Sequence, residues 1–172
     1  FTVALVEAGP SDNHLAVQIP FGLSVLSRYK KFNWSLETAP EPHCANRQMF
    51  WPRGKVLGGS SSVNAMVYIR GDKADYDAWA EACDAPQWRF DNLLPLFKRL
   101  ENNARGPDPY HGIGGELSVS DPNHVDALST AWIEACAEAG ITHNPDFNGE
   151  SRYGAGLYQT TTGHGKRWSS YI

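Results

Sequence analysis

Residues 53–64 read Arg-Gly-Lys-Val-Leu-Gly-Gly-Ser-Ser-Ser-Val-Asn, and this stretch decides the fold. Gly58 and Gly59 are adjacent, and a backbone without Cβ atoms can approach a ligand closely. The loop runs toward a predicted helix start, where unpaired N–H groups and the helix dipole favour a phosphate or diphosphate. The serines at 60–62 would add hydroxyl donors. Glycine content alone leaves a second interpretation open, which is a tight loop that merely caps a helix.

Glu7 is the second indication, at the end of the aliphatic run 2–6 (TVALV). A run without polar alternation suits a strand that is buried on both faces of a parallel sheet. A carboxylate at the end of such a strand is where a dinucleotide-binding fold places its ribose-binding acid. Glu7 alone can equally be a solvent-facing residue at a strand end.

Composition excludes several classes of protein. The chain has 172 residues and a formal net charge of −4, with 15 Lys and Arg against 19 Asp and Glu. A single-domain length is expected, and the absence of a basic stripe argues against nucleic-acid binding. No apolar stretch approaches the ~20 residues of a membrane-spanning helix, which leaves peripheral membrane contact open. Both ends lack the features of natural termini, so we expect a piece of a longer protein.

The cysteines and histidines predict neither a disulfide framework nor a metal site. Cys44, Cys83 and Cys136 lack CxxC spacing, and we expect reduced thiols in a cytoplasmic protein, with Cys136 buried on a helix. The six histidines include no HxxxH pair. His111 and His164 lie in Gly-rich stretches and are interpreted as loop residues.

Periodicity predicts the remaining elements. Strands are expected over 34–38 and 157–162, and helices over 72–82, 92–101 and 125–139. Asp91 is the expected N-cap of the second helix, and Gly140 is the expected stop of the third.

Residues 52–79, PRGKVLGGSSSVNAMVYIRGDKADYDAW, resemble the first signature of the glucose–methanol–choline (GMC) flavoprotein oxidoreductases. LVEAGP, NWSLETAP, HGIGGELSV, DFNGESRYGAGLYQTT and GKRWSS follow in family order. The chain is most similar to the bacterial choline and aliphatic-alcohol dehydrogenases. Departures are Ala82-Cys83-Asp84, where relatives carry Gly, and Tyr171-Ile172.

The resemblance implies an α/β, FAD-binding Rossmann-like fold that lacks its first βα unit. Residues 1–78 would belong to the FAD-binding domain, and residues 79–172 to a helical linker region and the start of the substrate-binding domain. The cofactor-binding residues it implies are Glu7, Arg53, Val56, Gly58, Gly59, Ser60, Asn64, Ala65, Met66 and Val67.

Each group of these residues has an implied role. Glu7 would accept hydrogen bonds from the adenosine ribose, residues 58–60 would follow the diphosphate and flavin, and residues 64–67 would lie along the isoalloxazine. Some relatives tether FAD through a His where this chain has Val63. Non-covalent FAD is therefore implied.

The implied activity is oxidation of a small-molecule alcohol to an aldehyde, with electrons passed to a quinone or another acceptor. The family's catalytic base lies outside this sequence, so no catalytic residue is assigned and the chain alone is expected to be inactive. The alternatives are an oxygen-using alcohol oxidase, a non-redox hydroxynitrile lyase that keeps FAD, and a plain binding module. Cytoplasmic location is expected, with possible peripheral association at the inner membrane.

Overall fold

The computed structural model describes residues 2–170, apart from the side chain of residue 23. Tyr171 and Ile172, where the family pattern is departed from, lie outside the described residues. The chain forms two compact units. The first contains residues 2–66 and 164–170, and the second contains residues 67–163.

Short elements and turns dominate both units. The helices are α1 (Leu15–Gln18), α2 (Leu23–Leu26), α3 (Lys73–Ala82), α4 (Phe90–Leu100) and α5 (Ala127–Glu138). The strands are β1 (Leu36–Glu37), β2 (Phe50–Trp51), β3 (Glu101–Asn103), β4 (Leu117–Val119), β5 (Thr162–Gly163) and β6 (Lys166–Arg167). Turns of 3₁₀ helix lie at Pro20–Gly22, Pro42–Cys44, Gly59–Ser62 and Pro86–Trp88.

The first unit has a small apolar core beneath the glycine-rich loop. The buried side chains that form it are Val17, Leu26, Phe32, Val56 and Val63. β1 and β2 pair antiparallel, with Leu36 opposite Trp51. The strand predicted over 34–38 is thus confirmed only at its centre.

The buried strand predicted over 2–6 is not formed by the described residues. Val3 and Val6 are 88% and 91% exposed, and the segment carries no strand pairing. A strand is held by hydrogen bonds to a neighbouring strand, and none of residues 2–170 provides that neighbour here. The aliphatic composition of residues 2–6 therefore predicted a strand, but these residues have no partner strand among residues 2–170.

The helix start predicted after the glycine pair is also wrong. The chain makes one 3₁₀ turn, Gly59–Ser62, and no α-helix begins between this turn and Lys73. The Asn64 side chain accepts a hydrogen bond from the Met66 N–H at 2.9 Å, and Met66 has φ +63°. An Asn side chain that hydrogen-bonds to the nearby backbone competes with helix formation. A residue in the left-handed conformation, such as Met66, cannot continue a right-handed helix.

The second unit confirms the helix predicted over 72–82. Asp72 accepts from the Ala74 N–H at 2.8 Å, while the Asp75 carboxylate accepts from the Asp72 N–H at 3.3 Å. This reciprocal pair is a capping box, which satisfies donors that the first turn of a helix leaves unpaired.

α4 begins earlier than predicted, and Asp91 is not its cap. The Asp77 carboxylate of α3 accepts a hydrogen bond from the Phe90 N–H at 3.0 Å. Asp91 instead forms an exposed ion pair with Lys73 at 2.9 Å. Because the capping group comes from another helix, sequence spacing along α4 could not reveal it.

α5 confirms the third predicted helix, with Asp126 as N-cap and Gly140 at φ +85° just beyond its end. Its apolar face is not covered by the described residues: Leu128 is 80% exposed and Trp132 is 71% exposed. Cys136 is half-buried, which corrects the expectation of a buried thiol. All three cysteines are free thiols.

β3 and β4 form a parallel pair with Glu101 opposite Leu117. Thr160 bridges to Val67 and to Ser120, so the strand predicted over 157–162 is reduced to bridges and the short β5. Among residues 2–170, no helix is both long and apolar enough to cross a membrane.

Candidate functional site

The glycine pair in the first unit leaves an open backbone surface. Gly58 has φ +84° and Gly59 has φ +56°, conformations that side-chain-bearing residues rarely adopt. A Cβ at Gly58 would overlap the Ser62 hydroxyl, whereas a Cβ at Gly59 would meet no atom within 4 Å. Gly58 is therefore required by packing, and Gly59 presents bare backbone to open space. That space is the cradle a cofactor would need.

The three serine hydroxyls are less available than the sequence predicts. Ser61 donates to the Gly58 carbonyl at 2.6 Å, and Ser62 donates to the Leu57 carbonyl at 2.7 Å. Ser60 is exposed and accepts from the Gly54 N–H at 3.1 Å, so its own hydrogen is not used in that bond. Ser61 and Ser62 therefore stabilise the loop, and Ser60 is the hydroxyl suited to a ligand.

The structure brings the Glu7 segment against this loop. The Leu57 N–H donates to the Pro10 carbonyl at 3.1 Å, and a Cβ at Gly9 would overlap the Lys55 carbonyl. Glu7 is exposed and accepts from the Gly9 N–H at 2.8 Å through one carboxylate oxygen. A carboxylate acceptor is thus held on a segment that is itself bonded to the glycine-rich loop.

Arg53 and Val56 occupy different environments. Val56 is fully buried in the core, so its side chain faces away from any ligand and only its backbone is available. Arg53 is exposed, with its guanidinium 5.0 Å from the Trp51 ring and a hydrogen bond to the Pro52 carbonyl. Arg53 therefore retains donors for an anionic ligand.

Residues 64–66 continue the loop. Asn64 and Ala65 are exposed, Met66 is buried, and Val67 begins the second unit and is exposed. Val63, which stands where some relatives carry a tethering His, is buried in the core and has no group that could form a covalent flavin bond. The residues present thus fit a non-covalently held cofactor.

Sequence reasoning missed Arg167, which is 3% exposed. It donates to Val17 in α1 and to both the backbone and side-chain oxygens of Asn64. The sequence signal was only its place in the GKRWSS stretch.

The second unit contains a separate buried cluster around His111, which lies outside the helices and strands, as predicted, and is buried there. His111 is 3% exposed. Its Nδ1 lies 2.9 Å from Glu101, and its Nε2 lies 3.0 Å from Asp146. Glu101 is fully buried and also contacts Arg70 at 3.0 Å and the Tyr68 hydroxyl at 2.7 Å.

These contacts shift the pKa values within the cluster. Burial alone would lower the pKa of His111, but hydrogen bonds to Asp146 and Glu101 raise it to about 9. Burial alone would raise the pKa of Glu101, but the hydrogen bonds it accepts from His111 and Tyr68 lower it. Burial, followed by the bond to Glu101, raises the pKa of Tyr68 to about 12.

Asp108, His111 and Asp146 have potential ligand atoms within 4.8 Å of one another. Both His111 nitrogens face carboxylates, and its raised pKa means that both carry hydrogen at neutral pH. A protonated imidazole has no lone pair for a metal ion. The proton therefore supplies the positive charge that the two carboxylates require.

Comparisons with known proteins identify the family of the chain. The sequence profile described as GMC oxidoreductase matches residues 13–172, so the chain belongs to this family. It is 50% identical over 169 residues to "Alcohol dehydrogenase [acceptor]" of Pseudomonas putida, covering 98% of this chain and 30% of that protein. It is 40% identical to "Oxygen-dependent choline dehydrogenase" of Brucella anthropi, covering 99% of this chain and 31% of that protein.

Solved structures of related proteins have the same fold as this chain. Pyridoxine 4-oxidase from Mesorbium loti superposes with a TM-score of 0.89 at 32% identity, covering 95% of this chain and 32% of that one. An Aspergillus oryzae formate oxidase, described with reference to FAD modification, has a TM-score of 0.84 at 25% identity and covers 96% and 30%. The predicted α/β FAD-binding fold class is confirmed, and the chain spans about a third or less of these relatives.

Proposed function

We propose that the protein containing this chain is an FAD-dependent oxidoreductase that oxidises a small-molecule alcohol to an aldehyde. The observation that carries the proposal is the left-handed glycine pair, whose bare backbone at Gly59 faces open space beside Ser60. Membership of the GMC family and 50% identity to an alcohol dehydrogenase support it. When bound, FAD supplies the redox chemistry by accepting a hydride at N5 from the substrate CH–OH group.

The residues of this chain would hold the cofactor. Glu7 would accept hydrogen bonds from the ribose, and the backbone of Gly58 and Gly59 would approach the diphosphate, together with the Ser60 hydroxyl. Arg53 adds positive charge at the surface of the loop, and Val56 would contribute only backbone atoms. Residues 64–67 would provide the edge along the isoalloxazine.

None of the six histidines fits the role of general base for the alcohol. His111 holds its proton between two carboxylates, and the other five are exposed. A base must be within hydrogen-bond reach of the substrate hydroxyl in a site that excludes water. We therefore propose that the base belongs to a part of the complete protein outside this chain, and that residues 1–78 serve the cofactor while residues 79–172 lead into the substrate domain.

The acceptor that we propose is a quinone or a similar compound, because the name of the Pseudomonas putida relative refers to an acceptor. Oxygen is the alternative, since both solved relatives described above are named as oxidases and the Brucella anthropi relative is named as oxygen-dependent. Cytoplasmic location with peripheral association at the inner membrane would suit a quinone acceptor.

The decisive experiment adds an alcohol to the complete flavoprotein without oxygen. We expect the visible absorption of the flavin to bleach, as it should for a dehydrogenase or an oxidase. A flavin that stays oxidised with every alcohol tested, choline and aliphatic alcohols included, would contradict the proposal and favour the lyase. Oxygen uptake then separates the two redox alternatives, because a dehydrogenase should consume little oxygen while it reduces an added quinone dye, whereas an oxidase should consume oxygen in proportion to the alcohol oxidised.

A further inference from the structure

Arg167 joins three separate segments of the first unit. Its Nε donates to the Val17 carbonyl of α1 at 3.0 Å. Its Nη1 donates to the Asn64 backbone carbonyl at 2.7 Å and to the Asn64 Oδ1 at 2.8 Å. The guanidinium thus ties α1 and β6 to the end of the glycine-rich loop.

The Asn64 side chain links Arg167 to the backbone that follows Asn64. Its Oδ1 accepts both from Arg167 and from the Met66 N–H, the latter at 2.9 Å. Met66 has φ +63°, a left-handed conformation that is costly for a residue with a long side chain. Such a conformation persists only where its surroundings enforce it, and the Arg167–Asn64 pair supplies one contact that holds it.

The chemistry of Arg167 sets it apart from an ordinary surface arginine. No ion pair among the described residues includes it, so its charge is met by carbonyl dipoles. Its Nη2 is buried without a hydrogen-bond partner. Burying an unpaired donor costs free energy, and the hydrogen bonds of Nε and Nη1 offset that cost.

We propose that Arg167 is a positioning residue for the cofactor site, acting through Asn64 to fix the backbone of residues 64–66. The inference rests on the proposed function, because these residues are the ones expected along the flavin. Lysine could not replace it: an ammonium group lacks the planar fork that reaches α1 and Asn64 together.

The test uses the complete flavoprotein with Arg167→Lys and Arg167→Met. We expect the FAD dissociation constant to rise on the order of tenfold or more, and the visible circular dichroism of the bound flavin to change, because misplaced contacts weaken binding. Asn64→Leu should reproduce both effects, and the double variant Arg167→Met/Asn64→Leu should be no worse than either alone. Asn64→Asp keeps an acceptor oxygen at this position, so this single variant should have the flavin spectrum of the unaltered protein. Arg105→Met is the matched control, since Arg105 makes a part-exposed ion pair with Asp121 in the other unit.

A merely structural role predicts a different pattern. It would lower the melting temperature of apoprotein and holoprotein equally, with the dissociation constant and the flavin spectrum unchanged, and that result would overturn the proposal. If Arg167→Met does not fold, the Arg167→Lys and Asn64→Leu variants decide. Gly59→Ala distinguishes failure of the proposed cofactor site from failure of the positioning role. If Gly59→Ala also leaves FAD binding unchanged, the proposed cofactor site is refuted. If Gly59→Ala weakens FAD binding and the Arg167 variants do not, only the positioning role is refuted.

Discussion

Gly58 and Gly59 were predicted together from sequence, yet the structure requires them for different reasons. Gly58 is confined by the Ser62 hydroxyl, so packing excludes a side chain there. At Gly59 an added Cβ would have no neighbouring atom within 4 Å, so only backbone conformation and a bound ligand would disfavour a side chain. The distinction makes Gly59 the more informative position for mutation.

Gly59→Ala is expected to weaken FAD binding in the complete flavoprotein by about tenfold or more, because its Cβ would occupy the space proposed for the cofactor. The substitution also carries a cost of roughly 1 kcal/mol for a left-handed alanine. Fluorescence titration of apoprotein with FAD measures the first effect, and thermal melting of apoprotein measures the second.

Gly140→Ala is the matched control for that experiment. Gly140 also has positive φ and open space around a Cβ, but it follows α5 in the second unit. It should show a similar loss of stability with unchanged FAD affinity. Identical affinities for the two variants would mean that Gly59 has a conformational role only.

Ser62→Ala is expected to destabilise the protein by about 1–3 kcal/mol, since it leaves the Leu57 carbonyl without its donor. Ser62 is fully buried, so water cannot replace the hydroxyl. The free energy of unfolding from urea titration checks this value. Ser60→Ala is the control because Ser60 is exposed, and an equal loss in both variants would contradict the argument.

Residue types alone could predict the loop but not the partners that hold it. Arg167 reaches Asn64 from 103 positions along the chain, and Glu101 and Asp146 contact different nitrogens of His111. No periodicity or spacing in the sequence records such contacts. Arg167 and His111 were therefore found only from the structure.

At the level of elements, the three longest helices were predictable, whereas the strands were confirmed only in part. α3 and α5 begin just after Asp72 and Asp126, whose side chains accept from backbone N–H groups of the first turns. Caps of this kind are local, so the sequence contains them. The run 2–6 and the stretch 157–162 depend on distant partners for pairing, and local composition overstated both.

Asp72→Ala should lower the free energy of unfolding by about 1–2 kcal/mol, because it removes a capping group and its reciprocal contact. Asp126→Ala removes a cap without the reciprocal contact and should cost about 1 kcal/mol or less. Urea unfolding followed by far-ultraviolet circular dichroism compares the two. A larger loss for Asp126→Ala would show that the capping box adds nothing to α3.

At the scale of the whole molecule, buried charge is concentrated in the second unit. Arg70 and protonated His111 stand against Glu101 and Asp146, with each ion pair within bonding distance. Removing one member of a buried charged set leaves another uncompensated, which is far more costly than losing a surface pair. This cluster therefore makes stability depend on pH.

The direction of that dependence follows from the pKa shifts. The folded pKa of His111 is raised from 6.5 to about 9, so its contribution is fully present below pH 6.5 and is lost as pH rises through about 9. Stability should fall by up to about 1.4 kcal/mol per pH unit across this window. The pKa values of Glu101 and Asp146 are lowered, so their contributions are lost as the solution becomes acidic.

His111→Gln tests the assignment. Its unfolding free energy should be lower at pH 6, and the decline between pH 6.5 and 9 should flatten. His143→Gln, at an exposed position, is the control and should keep the slope of the unaltered protein. A slope that survives in His111→Gln would place the titrating group elsewhere.

The contacts of both His111 nitrogens with carboxylates also determine how this residue should respond to chemical labelling. Diethyl pyrocarbonate acylates an unprotonated imidazole nitrogen, and His111 offers none at neutral pH and is shielded from the reagent. The exposed histidines should be carbethoxylated, and they are His14, His43, His124, His143 and His164. A histidine of the complete protein that an alcohol protects from this reagent would be a candidate for the proposed base, and peptide mapping of the modified sites would identify it.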